Sequence, residues 1–143
     1  MLNVIFSDVR SERRAVPVGN NVAPGTPIIS AGVPAITITG SRDYAGNAVT
    51  VNANGESIVI AGGIGGQSLP ADDYATVTFT GTYGLDVAGA TLADATYGKP
   101  VYITSAGALT LTATGNTKYG TVEFFRGTES ATDTAVTIGI NRG

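Results

Sequence analysis

The stretch Ala75-Thr76-Val77-Thr78-Phe79-Thr80-Gly81-Thr82-Tyr83 alternates from end to end: every odd position except Gly81 is apolar and every even one is Thr. Successive side chains of a β-strand point to opposite faces, so a period of two predicts a strand with one face on a core and a hydroxyl face outside. Threonine suits that second face, because its β-branch restricts χ1 and fits a pleated surface. Working outward, the same period appears in Ala35-Ile36-Thr37-Ile38-Thr39 and Val49-Thr50-Val51-Asn52. Val101-Tyr102-Ile103-Thr104 and Leu109-Thr110-Leu111-Thr112 flank the short Gly-containing linker Ser105-Ala106-Gly107-Ala108, which predicts a hairpin. Thr121 to Phe125 and Ala135 to Ile140 complete the strand set.

Turn formers separate these strands at Asn54-Gly55, Gly62-Gly63-Ile64-Gly65-Gly66 and Gly115-Asn116, a spacing that belongs to an all-β sandwich or barrel. The best helix candidate, Thr91-Leu92-Ala93-Asp94-Ala95, is stopped by Gly98 after a turn or two. No fixed-period repeat is present. At 143 residues the chain has the size of one domain, able to bury a core without disulfides or metals.

The segment from Met1 to about Pro24 differs in character from the rest of the chain. Arg10, Arg13 and Arg14 place three of the eight basic residues there, and Pro17, Gly19-Asn20-Asn21 and Pro24-Gly25 keep the segment extended. It divides the chain into an extended N-terminal arm, residues 1–24, and a single β domain, residues 25–143. Such a segment is either a mobile terminus or an extended arm laid on a neighbour.

Composition narrows the function. The chain is 43% hydrophobic but only 13% charged, so its surface is polar through hydroxyls and amides and weakly protected against association. A formal net charge of −3 makes it a poor partner for nucleic acid. Apolar stretches such as Ser57 to Ile64 are far shorter than the ~20 residues a membrane span needs. The start, MLNVIFSDVRSERR, has no basic segment ahead of an apolar run, so no Sec signal is expected. With Cys 0 there is neither thiolate chemistry nor a disulfide framework.

The absence of histidine removes the commonest general base and metal ligand. Asp72-Asp73 follows Leu69-Pro70 and reads as a solvated turn; a calcium site using Asp72, Asp73 or Asp86 would need six or more convergent oxygens. Gly98-Lys99-Pro100 lacks the leading glycine and the closing Ser/Thr of a phosphate loop. The glycines at 62–66 have no following helix to present amides to a phosphate. Tyr74, Tyr83, Tyr97, Tyr102 and Tyr119 lack the cations and tryptophans of a stacking platform. No enzyme activity and no cofactor are expected.

The segment Gly98-Lys99-Pro100-Val101-Tyr102-Ile103-Thr104-Ser105-Ala106-Gly107-Ala108-Leu109-Thr110, followed by Gly115-Asn116-Thr117-Lys118-Tyr119-Gly120-Thr121-Val122, resembles small capsid decoration, or cement, proteins of tailed bacteriophages. The shared pattern is a glycine before an aromatic-containing strand, a Gly-Xaa-Leu-Thr return, an Asn-containing turn, then Gly and a closing apolar strand. Gly25-Thr26-Pro27-Ile28-Ile29 and Ala35-Ile36-Thr37-Ile38 resemble the family's opening strands, so the likeness runs from Pro17 to Ile140. The middle, Ala45 to Thr82, is longer than in the shortest members. The resemblance implies a small β-barrel or β-tulip-like fold, a homotrimer at local threefold positions on the capsid exterior, and the major capsid protein as partner. It carries no catalytic residues. The contact residues expected for this chain, Phe6, Arg10, Arg13 and Arg14, come from its own arm. The competing reading is a surface or tail-associated module that holds carbohydrate with its tyrosines and loops.

Overall fold

The computed structural model of the chain describes residues 4–6, 13–47, 49–53, 55–60, 68–90, 97–123 and 134–139. Among them the chain is all-β, with one short 3-10 turn at Ala45–Asn47 and no α-helix. The strands are β1 (Val4–Phe6), β2 (Arg13–Pro17), β3 (Pro27–Ser30), β4 (Val33–Thr37), β5 (Val49–Ala53), β6 (Glu56–Ile60) and β7 (Tyr74–Thr78). They continue with β8 (Gly81–Leu85), β9 (Val87–Ala88), β10 (Pro100–Ile103), β11 (Leu109–Thr110), β12 (Thr117–Val122) and β13 (Thr134–Ile138). A seven-stranded sheet, β1-β8-β13-β12-β10-β11-β9, faces a four-stranded one, β2-β7-β4-β3, and the two curl into a half-barrel. β5 and β6 pair as a separate hairpin.

The alternating run expected as one strand is two. It leaves the four-stranded sheet after Thr78 and enters the seven-stranded sheet at Gly81, whose φ of 127° is open only to glycine without strain. The expected hydroxyl face is also corrected: Thr78 and Thr82 are buried, and every residue of β8 and of β13 is buried. The register explains how a polar face is tolerated inside. Thr82 lies opposite Thr137 and their hydroxyls meet at 2.7 Å, while Thr137 Oγ1 donates to Glu123 Oε2 at 3.2 Å. A buried hydroxyl without a partner costs about 1–3 kcal/mol, and this chain of bonds removes that cost.

The opposite face forms the core. Tyr83, Val136, Ile138, Val101, Tyr119 and Val122 of the large sheet gather with Ile36 of β4, and Ile29 packs partly against them. Burial of each large aliphatic or aromatic side chain contributes about 1.5–3 kcal/mol. A polar bond crosses between the sheets in the core: Tyr119 in β12 donates its hydroxyl to the Ala35 carbonyl of β4 at 2.7 Å. Gly120, next to it, admits no side chain, since a Cβ there would lie 2.5 Å from the Thr137 carbonyl oxygen.

The hairpin expected across residues 101–112 is present, with Tyr102 opposite Thr110 and Ile103 opposite Leu109. Its return strand stops at Thr110 and takes a parallel partner, β9, that local sequence does not announce. The closing strand spans Thr117–Val122, earlier in the chain than the expected 121–125. The expected helix at 91–95 and the glycine cluster at 62–66 lie outside the described residues.

Candidate functional site

The described parts of the N-terminal segment, Val4–Phe6 and Arg13–Pro17, run antiparallel beside residues 74–83. Pro17 lies opposite Tyr74 and Arg13 opposite Thr78; Phe6 lies opposite Thr82 and Val4 opposite Tyr83. One segment therefore supplies the edge strand of both sheets. Of the four expected contact residues, the structure places Arg13 and Arg14 together on exposed β2 and Phe6 on the backbone of β1; Arg10 lies outside the described residues.

Hydrogen-bond direction defines what β2 offers. Val18 N–H donates to the Asp73 carbonyl, so even-numbered residues here bond toward β7, and the backbone groups of Arg13 and Ala15 point away from the sheet. Two arginines and Pro17 on such an edge discourage indiscriminate strand pairing while presenting cationic donors to an acidic or carbonyl-rich partner. Arg13 also lies near the Tyr83 ring. Burial raises the Tyr83 phenol above its ordinary pKa, its hydrogen bond to Thr78 and the Arg13 charge opposing. Its hydroxyl donates to the Thr80 carbonyl at 2.7 Å, at the point where the chain changes sheets.

The base of the arm is clamped by a carboxylate that sequence reading missed. Asp43 accepts from Asn20 Nδ2 at 2.7 Å, from the Asn21 backbone N–H at 2.8 Å and from Ser41 Oγ at 2.7 Å. Ser41 Oγ in turn accepts from Val22 N–H, and Asn21 Oδ1 accepts from Ala45 N–H. These bonds, the Asn21 amide first, then Ser41 and Asn20, hold the Asp43 carboxyl below its ordinary pKa. Ser41-Arg42-Asp43 is the sequence signal, a short polar turn able to bond a neighbouring loop.

A cleft of about 470 Å³ opens between residues 17–18 and 27–29 of the four-stranded sheet and the tip of the β10–β11 hairpin. Pro17, Val18, Pro27, Ile28, Ile29 and Ile103 supply its apolar wall, and Thr104, Ser105 and Thr117 its rim.

The other sequence features resolve into structure. Asp72 and Asp73 sit in a turn, where their carbonyls accept from Asp43 N–H and Val18 N–H, and the exposed Asp72 carboxylate stands 3.9 Å from Arg42. Among the described residues no three acidic side chains converge on a metal-sized site. Gly98 ends a turn into β10 at a φ of 78°. Tyr83 and Tyr119 are core residues, which takes two of the candidate tyrosines away from any sugar-binding surface. Among the described residues no helix is long and apolar enough to cross a membrane. No family model, curated protein or solved structure matches the chain.

Proposed function

We propose that the chain is a capsid decoration protein, which binds the outer surface of an assembled phage capsid as a homotrimer at local threefold positions and stabilises it without catalysis or cofactor. It joins the shell in the host cytoplasm and stays on the virion exterior, with the major capsid protein as its partner. The observation that carries this is the basic edge strand β2: Arg13 and Arg14 are exposed on a strand paired to β7, which supports contact with acceptors on another protein. The resemblance at residues 98–122 supports the same reading, and those residues form one unit, β10–β12. A ligand that binds only the assembled lattice stabilises it by mass action.

The test is occupancy on expanded capsids. An Arg13→Ser/Arg14→Ser variant, whose changes lie on an exposed edge, is expected to keep its thermal midpoint and to lose most of its occupancy. Wild-type binding is expected to weaken with salt. Occupancy equal to wild type sinks the role of the arm, and a wild-type protein that ignores capsids at micromolar concentration sinks the function itself.

A further inference from the structure

The two free edges of the four-stranded sheet are treated differently by the sequence. β2 carries Arg13, Arg14 and Pro17. β3, Pro-Ile-Ile-Ser, carries no charge. Thr37 N–H donates to Thr26 C=O and Ile38 N–H to Thr76 C=O, so odd residues of β4 bond toward β3. With Ile29 opposite Pro34, both backbone groups of Ile29 then point out of the sheet. An unguarded edge is a template for association, and natural sheets guard edges that stay in solvent.

The neutrality extends beyond the strand. Not one charged residue occurs from Ala15 to Ser41 or from Pro100 to Thr117, and the fold brings these two runs together as the walls of the cleft. Beside it projects the β3–β4 turn. Val33 is 47% exposed there, and Ala31 holds a left-handed φ of 50°, a conformation costly to a residue with a Cβ. An exposed valine on a strained turn is a knob, and the neutral cleft is a hole of matching chemistry.

We infer that the cleft receives the Ala31–Val33 turn of a second copy of this chain. The occupant follows from the surface: with only 13% charged residues the chain is weakly protected against meeting its own copies, and on this uncharged face they meet without opposing like charges. Knob and hole are neighbours on each copy, so one face supplies both halves of the contact, and the number of copies is taken from the trimer of the proposed function. The inference rests on that reading for stoichiometry alone.

The test uses the absence of cysteine. Val33→Cys and Ser105→Cys proteins are made separately, mixed in equal amounts and oxidised. The expected product is the mixed cross-link between one Val33→Cys chain and one Ser105→Cys chain, in excess over either homodimer. Val33→Glu, exposed and therefore compatible with folding, is expected to shift the associated species to monomer on sedimentation with its far-UV spectrum unchanged. Absence of the mixed product, a wild-type monomer at 100 micromolar, or Val33→Glu sedimenting like wild type overturns the inference. So does protection of the Ile29 amide by capsids but not by self-association, which would give the cleft to the capsid protein. Cross-linking without capsid binding overturns only the decoration reading, and capsid binding without cross-linking only the contact.

Discussion

Replacing Tyr119 by Phe deletes one atom at a side-chain bond that ties the two sheets through the core, the 2.7 Å bond to Ala35 C=O. The ring is 2% exposed and burial holds its phenol far above the ordinary pKa, so water does not substitute for the lost donor. A net hydrogen bond is worth about 1 kcal/mol, and an acceptor left short of a partner adds up to about 1–3 kcal/mol. Ala35 lies within the β3–β4 pairing as well, so its carbonyl is not orphaned and the lower part of that range applies. The expected loss is about 1–2 kcal/mol, which for a chain of this size lowers the thermal midpoint by roughly 3–8 °C. Urea unfolding followed by circular dichroism measures it, with an unchanged m value showing that the unfolded state is untouched. A Tyr119→Phe variant within about 0.3 kcal/mol of wild type refutes the coupling of the sheets by this bond.

Two further outcomes are expected from the loops. Ala31→Gly relieves the left-handed φ at the exposed turn and is expected to raise stability by about 0.5–1 kcal/mol despite the freer unfolded chain; a fall in the urea midpoint would contradict the strain. The Asp43 carboxyl has a folded pKa below its unfolded value, so its contribution is complete at neutral pH and disappears as pH falls below about 4. Asp43→Asn should flatten that acid limb of a stability-against-pH curve, and an identical limb in wild type and variant would show that the clamp adds nothing to stability.

The strands were legible because threonine and β-branched residues alternate, and the hairpin at 101–110 because Gly107 punctuates it. The change of sheet at residues 79–80 was not. A period of two continues through it, and only Gly81 breaks the pattern, so pairing partners far along the chain decide which sheet each half joins. Thr82 reads as a solvent-facing hydroxyl, yet it is buried because Thr137, far along the chain, lies opposite. The same non-locality hid the destination of the arm: its extension follows from Pro17 and Asn20-Asn21, but its partner is Tyr74–Thr78. Arg13 and Arg14 were visible as charge. Val33 and Ala31 were not, since Ala-Gly between apolar residues reads as an ordinary turn, and the strain appears only in the dihedral angle.

The pairing of one N-terminal segment with both β7 and β8 has a mechanical consequence. A tensile load entering through β2 and directed along the strand is shared among its ladder bonds with β7, so that they resist together instead of parting in sequence. Because β7 continues through Phe79-Thr80 into β8, the load passes along covalent backbone into a fully buried strand of the larger sheet. The molecule thus has a tension path from a surface strand to its core, the arrangement of a rivet whose shank is anchored in the body it fastens.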